Sequence, residues 1–185
     1  PLYFEEIKKF LPPQMLKRVT IEGIGENTLS LIEKAEKLIQ SSDVRYYYVW
    51  IIFDKDDFPS ENFDSAIRII KSRENKEPKW RAGWSNEAFE LWYLCHFREI
   101  TGGAISRTQC FDLLNEEFRK NKIQLKYKKN FKGMFNILRF RTEDAIKRAQ
   151  KSMELQLSKK IPPSRMNPTT MVYLLVAELL SYMDI

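Results

Sequence analysis

Three aspartates, Asp54, Asp56 and Asp57, directly follow the apolar run Tyr46–Phe53. Carboxylates this close repel one another and raise one another's pKa unless a cation neutralises them. Mg²⁺ and Mn²⁺ prefer oxygen ligands of this kind. The pattern therefore predicts a divalent metal site at the end of a buried strand. The alternative is that the three acids cap the next helix or pair with basic side chains on the surface.

The segment Gly83–Phe97 carries two further candidates, Glu90 and His96. Ser85 or Asn86 is a good N-cap for the helix that follows, and this helix is apolar nearly all round, which predicts that it is buried. A buried Glu90 needs a metal ion, a basic side chain or a proton as its partner. His96 lies about 120° around the helix from Glu90. Taken alone, that position favours a hydrogen-bonded core histidine.

Positive charge is concentrated in the second half of the chain. Of the net charge of +6, residues 1–100 contribute −2 and residues 101–185 contribute +8. The densest basic part is Arg119–Lys132, which has no acidic residue and includes Tyr127 and Phe131. Cations attract a phosphate backbone, and aromatic rings can stack on bases. The alternative for this segment is a solvated basic face.

Hydrophobic periodicity predicts the elements that position these residues. The predicted strands are Arg18–Ile24, Tyr46–Phe53 and Lys79–Trp84. The predicted helices are Leu2–Leu11, Leu29–Ile39 with Asn27 or Thr28 as its cap, Ser60–Ile70, Glu87–Phe97, Ser106–Phe118, Phe131–Leu138, Thr142–Leu157 and Thr169–Met183. Strands separated by helices favour right-handed crossovers and a parallel sheet, with chemistry at the carboxyl ends of the strands. The fold class is therefore α/β, with flanking helices and a helical C-terminal half.

Length and scarce residue types exclude several classes of protein. The 185 residues suit one domain, with 1–100 as its α/β core and 101–185 as its basic helical part. One histidine and two cysteines exclude His-pair zinc sites, zinc ribbons and iron–sulfur clusters. The sequence has no Walker A motif and no apolar stretch long enough to span a bilayer. With no visible secretory signal, we expect a cytoplasmic protein with reduced thiols and no membrane association.

Two long segments carry a family resemblance. They read V-W-I-I-F-D-K-D-D-F over residues 49–58 and S-N-E-A-F-E-L-W-Y-L-C-H-F over residues 85–97. Three shorter segments agree in order, namely G-I-G-E-N-T at 23–28, Y-K-K at 127–129 and N-P-T-T at 167–170. Together they resemble the RloB family, which occurs beside restriction–modification loci and in phage-defence operons. The resemblance extends over nearly the whole chain.

The resemblance implies a Toprim-like fold, a parallel-sheet α/β core that topoisomerases, primases and several defence nucleases also use. Asp54 and Asp56 match the D-x-D pair that holds Mg²⁺ in such enzymes, and Asp57 is an additional carboxylate typical of this family. A glutamate after the first strand normally works with this pair. Because the sequence starts at Pro1, we expect that strand and its glutamate to be missing. Glu22, which also follows a predicted strand, is the alternative glutamate.

The resemblance therefore implies a metal-dependent nuclease that cleaves phosphodiester bonds with Mg²⁺ or Mn²⁺ in phage defence by abortive infection. RNA, and tRNA in particular, is favoured over DNA by analogy with other defence effectors. Glu90 would ligate the metal, and His96 would act as general base or acid. The nucleic-acid-binding candidates are Lys126, Lys128, Lys129, Arg139 and Arg141. The supporting candidates are Ser85, Asn86, Asn167 and Thr170, although N-capping of the last helix accounts for Asn167 and Thr170 equally well.

A second hypothesis is not enzymatic. The chain would then be a nucleic-acid-sensing or regulatory subunit that engages a partner ATPase of the RloA type. The absence of a Walker A motif agrees with this hypothesis, because ATP hydrolysis would be supplied by the partner. Metal dependence discriminates the two hypotheses, since a binding module keeps its affinity for nucleic acid in a chelator. The sequence leaves open whether the chain forms a homo-oligomer.

Overall fold

The computed structural model describes residues 1–25 and 28–183. Its strands are β1 (Tyr48–Asp54), β2 (Lys79–Asn86) and β3 (Thr169–Thr170). Its α-helices are α1 (Leu2–Lys8), α2 (Pro13–Leu16), α3 (Thr28–Gln40), α4 (Ser60–Lys71), α5 (Glu90–Cys95), α6 (Arg107–Lys120), α7 (Met134–Leu138), α8 (Thr142–Ser158) and α9 (Val172–Leu180). Short 3₁₀ helices lie at Arg139–Arg141 and Pro163–Arg165. The prediction of an α/β fold with flanking helices and a helical C-terminal half is confirmed.

The described sheet has the order β1-β2-β3. Strands β1 and β2 are parallel, and their register runs from Tyr48 opposite Lys79 to Asp54 opposite Ser85. The crossover between them contains α4, as the alternation of apolar strand and amphipathic helix predicts. Strand β3 is antiparallel to β2. The sheet is therefore mixed, and the prediction of a purely parallel sheet is wrong for this third strand.

The predicted strand Arg18–Ile24 is wrong, because the structure assigns no helix or strand to this segment. Val19 and Ile21 pack as partly buried side chains against the larger hydrophobic core. The alternating apolar pattern is thus satisfied by packing alone, whereas a strand also needs a neighbour for its backbone hydrogen bonds. The cap predicted at Asn27 lies outside the described residues.

Two element boundaries that bear on the site differ from the prediction. Ser85 and Asn86 belong to β2 and do not cap α5, which begins only at Glu90. Thr169 and Thr170 form β3 and do not open the last helix, which begins at Val172. Both differences have one cause, because these four residues pair with one another in the antiparallel ladder of β2 and β3.

The buried apolar side chains form two clusters. The larger cluster joins α1, α5, α6, α7, α8 and α9, and includes the predicted buried helix around Leu91 and Trp92. The smaller cluster packs α3 and α4 against β1 and β2, through residues such as Ile51 and Phe63. The carboxyl ends of β1 and β2 lie where β2 leads into α5, so residues at these ends sit between the two clusters. Among the described residues, no helix combines the length and the hydropathy needed to cross a membrane.

Candidate metal and nucleic-acid site

Three predicted site residues form one row across the end of the sheet. Asp54 is in register with Ser85, and Ser85 is in register with Thr170. The hydroxyl oxygens of Ser85 and Thr170 are 2.9 Å apart, and both side chains are buried. The ladder continues past β1, since the backbone N–H of Lys55 donates to the Ser85 carbonyl at 2.8 Å. These contacts fix where Asp54 sits relative to the rest of the sheet.

Asp54 is a carboxylate in an unfavourable electrostatic position. Burial raises its pKa to about 7, and the negative charge of Glu90 acts in the same direction. A hydrogen bond from the Phe89 backbone N–H and the positive charge of Arg107 oppose these effects only in part. The end of β1 thus holds a carboxyl group whose ionisation is opposed by burial and by the charge of Glu90 at the start of α5.

Glu90 is held by a neutral donor. Its side chain is buried, and the Tyr127 hydroxyl donates a hydrogen bond of 2.7 Å to its Oε1 atom. Burial and the charge of Glu90 raise the pKa of Tyr127 far above its ordinary value, so this hydroxyl stays protonated. Tyr127 is itself anchored by its backbone N–H, which donates to Asn115 Oδ1 at 2.7 Å. The partner of the buried glutamate is thus a tyrosine from the basic segment of the second half.

Asp56 lies in an ion pair at the rim of this site. The Arg107 Nη2 atom is 2.6 Å from Asp56 Oδ2, and both side chains are about one-quarter to one-third exposed. Asp56 has φ of 44°, a left-handed conformation that aspartate tolerates better than most residues. Lys55 fixes the same turn, because its Nζ donates to the Phe58 carbonyl at 2.6 Å. Asp57 is exposed.

The residues present fit a hard divalent cation. Within residues 1–25 and 28–183, no group of three or more His, Cys, Asp or Glu side chains is arranged to hold a metal ion. Mg²⁺, however, usually keeps several waters and binds through one or two carboxylates. Asp54 and Glu90 would provide that pair, and a cation there would offset the burial and the charge of Glu90, which raise the pKa of Asp54. Asp56 would join them if Arg107 released it.

A family model described as RloB-like protein matches residues 1–179. The chain belongs to the RloB-like family. The match includes every segment on which the resemblance depended, from G-I-G-E-N-T at 23–28 to N-P-T-T at 167–170. No curated protein and no solved structure matches the chain at a significant level.

His96 of this RloB-like chain lies in the core. It is 1% exposed, its Nδ1 is 2.9 Å from the Trp92 carbonyl, and its ring packs edge-on against the Trp92 ring. Burial lowers its pKa to about 3, and the charged groups that act on it are Arg148 and Arg141. In the described chain no hydrogen bond joins His96 to Asp54 or Glu90. The structure therefore separates the two candidates of this helix.

The supporting residues hold loops around the site. Asn86 donates through Nδ2 to the carbonyls of Pro163 and Ser164, at 3.0 and 2.9 Å. The Asn167 side chain forms two hydrogen bonds with the backbone of Ile105. Its Oδ1 accepts from the Ile105 N–H at 2.9 Å, and its Nδ2 donates to the Ile105 carbonyl at 3.3 Å. Because Arg107 follows two residues later, Asn167 helps to place that arginine.

The nucleic-acid-binding candidates are exposed or partly exposed. Lys126 and Lys128 flank Tyr127, so they lie next to the residue that contacts Glu90, and Lys129 follows them. Arg139 and Arg141 occupy the 3₁₀ helix between α7 and α8. Among the described residues these five cations form no ion pair within 4.0 Å. Their charges are thus available to an anion.

Glu22, the alternative Toprim glutamate, lies elsewhere. It is exposed, and the group on which its charge acts is Tyr46, which precedes the amino end of β1. Asp54 ends the same strand. At about 3.3 Å per residue, β1 places its amino end roughly 20 Å from Asp54, so Glu22 is near the end of the strand opposite the carboxylates.

Sequence reasoning did not assign Arg107 to the site. One signal was present, because Arg107 is the first residue of α6, directly after the N-cap Ser106 of a capping box. A positive side chain in the first turn of a helix opposes the helix dipole. An arginine in that position therefore suggests another partner, which the structure identifies as Asp56.

Proposed function

We propose that this RloB-like chain is a Mg²⁺- or Mn²⁺-dependent nuclease that cleaves phosphodiester bonds, with RNA, and tRNA in particular, as the favoured substrate. The observation that carries the proposal is Asp54, whose pKa is raised by burial and by the negative charge of Glu90, an arrangement that a cation would stabilise. Phage defence is the biological role proposed, on the ground of the family resemblance. Restriction of this activity to infected cells would require a trigger outside the site.

Each part of the site has a role in the proposed reaction. Asp54 and Glu90 would hold the metal ion, which when bound polarises the phosphate and lowers the pKa of a bound water. Tyr127 orients Glu90 through its 2.7 Å hydrogen bond. Arg107 would exchange Asp56 for the substrate phosphate, because guanidinium groups bind carboxylate and phosphate oxygens with the same geometry. Lys126, which lies beside Tyr127, would contact an adjacent phosphate.

The test is a cleavage panel of tRNA, single-stranded RNA and duplex DNA with Mg²⁺ or Mn²⁺. Asp54→Asn and Glu90→Gln keep the size of each side chain and remove its charge, so we expect either variant to abolish cleavage. Asp112→Asn is the matched control, because Asp112 is an exposed aspartate on α6. Cleavage that survives in both site variants would refute the proposal, as would cleavage that persists in a chelator.

The non-catalytic alternative is favoured by one observation. His96, the single histidine of the sequence, is buried apart from the carboxylates, so no imidazole is available there as a general base. In this alternative the exposed cations bind nucleic acid, and a partner ATPase supplies the response. Binding that persists in a chelator, no cleavage of any substrate and a direct complex with an RloA-type ATPase would together support it.

A further inference from the structure

The most exposed large hydrophobic side chain among the described residues is Phe140, which is 82% exposed. It is the central residue of the 3₁₀ helix Arg139–Arg141. A phenylalanine so exposed gains little from folding, because its ring remains in water. Because it lies between two arginines, Phe140 is part of an exposed surface that combines an aromatic ring with positive charge, as nucleic-acid-binding surfaces do.

A guanidinium group lies between two rings at this surface. The Arg139 Cζ atom is 4.4 Å from the centroid of Phe140 and 5.4 Å from that of Phe10, which is 42% exposed. These distances are those of cation–π contacts. Phe10 in turn packs on Phe135 of α7, with centroids 5.5 Å apart. We call Phe10, Arg139 and Phe140 the aromatic platform.

The platform rests on a fixed base. Glu6 of α1 accepts hydrogen bonds from the backbone N–H groups of Gly133 and Phe135 at the start of α7. This contact ties α1, which leads to Phe10, to α7, which leads to Arg139. The rings and the guanidinium are therefore held by two helices rather than by a loose loop.

The positive charge of Arg139 makes the platform suited to bind an anion. Among the described residues, neither Arg139 nor Arg141 has a carboxylate within 4.0 Å. Two acids, Glu143 and Asp144, open the next helix, where negative side chains interact with the helix dipole. An unpaired arginine beside exposed rings matches a partner that carries both phosphates and flat bases.

We propose that Phe140 and Arg139 bind an unpaired nucleotide, with the base stacked on the Phe140 ring and the phosphate near Arg139. This inference rests on the proposed function and names the substrate class more narrowly, as a nucleic acid with accessible bases. A base inside a duplex cannot stack on the ring, because both its faces are already covered. The favoured substrate thus has a single-stranded segment or a loop.

Helix α6 connects the residue paired with Asp56 to the residue that contacts Arg141. Arg107, at its first residue, contacts Asp56, and Arg141 donates to Asn121, just past its last residue, at 3.3 Å. A helix of this length spans about 21 Å at 1.5 Å per residue. A strand in helical conformation covers that distance in roughly six nucleotides. A substrate that contacts both ends of α6 would therefore have about six nucleotides between these contacts.

A second exposed ring provides a matched control. Tyr47 is 63% exposed, and the Arg45 guanidinium lies 5.6 Å from its centroid. Arg45 is, however, paired with Glu77 at 2.7 Å. Tyr47 also precedes the amino end of β1, at the opposite end of the strand from Asp54. Arg45 and Tyr47 therefore form a cation–π pair like that of the platform. They differ from it in two ways, since the charge of Arg45 is neutralised and the pair lies away from Asp54.

The experiment measures binding in a chelator, where cleavage does not occur. Fluorescence anisotropy follows a labelled oligoadenylate of about 12 nucleotides, within the range of single-strand binding sites, and an abasic oligomer of equal length. We expect Phe140→Ala to weaken oligoadenylate binding by about 5- to 100-fold and leave abasic binding unchanged. Phe140→Trp should retain tight binding, and Tyr47→Ala should match the unmodified protein.

Three outcomes would overturn the inference. One is an unchanged affinity of Phe140→Ala for oligoadenylate. Another is an equal loss with the abasic oligomer, which would show that the ring supports the structure or the charge rather than a base. The third is a Phe140→Ala variant that loses only self-association in sedimentation, which would assign the ring to a second copy of the chain. If base-dependent binding persists while the unmodified protein cleaves nothing, the nuclease proposal fails and the platform stands.

Discussion

The Tyr127 hydroxyl donates a 2.7 Å hydrogen bond to Oε1 of Glu90, so the basic segment of the second half reaches directly into the acidic site of the first. The two residues are 37 positions apart. Lys126 and Lys128, the neighbours of Tyr127 in the sequence, are exposed. A polyanion drawn to these lysines would therefore arrive next to the residue that contacts Glu90.

This contact gives the first prediction. Tyr127→Phe keeps the ring and removes the donor, leaving a buried carboxylate oxygen without its partner. We expect a 10- to 100-fold higher Mg²⁺ concentration at half-maximal cleavage, the magnitude typical of lost support for a metal ligand. Metal titration of the cleavage rate measures this change. Tyr173→Phe, on α9, is the control and should behave like the unmodified protein.

The second prediction concerns the ion pair of Arg107 and Asp56. Removing it should change the stability of the fold little and the cleavage rate strongly. Their ion pair is partly exposed, so Arg107→Ala should change the free energy of unfolding by no more than about 1 kcal/mol. The same variant should lower cleavage by about 100-fold, because a cation aimed at the phosphate is lost. Urea denaturation and single-turnover cleavage provide the two numbers. Equal and small effects on both would show that the pair is only structural.

The third prediction concerns Asp54 without metal. Because burial and the charge of Glu90 disfavour its ionised form, Asp54→Asn should raise the melting temperature in a chelator at pH 8. The unmodified protein should gain stability when Mg²⁺ is added, since a ligand that binds only the folded state stabilises it. The variant should show no such gain. A variant less stable than the unmodified protein in a chelator would contradict the electrostatic argument.

The local elements of this chain could be read from its sequence, and their tertiary partners could not. The apolar run Tyr46–Phe53 predicted β1. Burial of this strand on both faces was wrong, because only Ile51 and Phe53 are buried and β1 lies at the edge of the described sheet. The pattern at Arg18–Ile24 looked equally strand-like but packs without a neighbouring strand. Asp54 and Glu90 were each recognised from local chemistry, whereas the contacts of Arg107 and Tyr127 depend on how α6 and the basic segment fold back. No local pattern encodes those distances.

His96 gives the fourth prediction, on pH. Its pKa is about 3 in the folded chain and about 6.5 when unfolded, so the unfolded state alone takes up a proton between these values. Above pH 6.5 the group contributes no pH dependence. As the pH falls from 6.5 towards 3, it lowers the free energy of unfolding by up to about 1.4 kcal/mol per pH unit.

His96→Asn tests this dependence, because the amide can still donate to the Trp92 carbonyl. We expect a shallower loss of stability between pH 6.5 and 3, measured by urea denaturation at a series of pH values. The same variant examines the role in proton transfer inferred from the family resemblance. Unchanged cleavage at neutral pH would assign His96 to the core, whereas loss of cleavage with intact stability would restore it as a catalytic candidate.

The fifth prediction tests whether the lysines beside Tyr127 contact phosphates. Each phosphate contact releases condensed counterions, so the logarithm of the affinity falls linearly with the logarithm of the salt concentration. For single strands the slope changes by about 0.7 per contact, and replacing Lys126, Lys128 and Lys129 together by Ala should reduce it by about 2. The control replaces Lys147, Lys159 and Lys160, which are exposed on and after α8. Anisotropy titrations in a chelator between 50 and 200 mM salt, roughly the range over which such slopes are defined, measure both variants. An unchanged slope in the first variant would show that these lysines do not contact phosphates. An equal reduction in both variants would show that binding reflects the net charge of the chain.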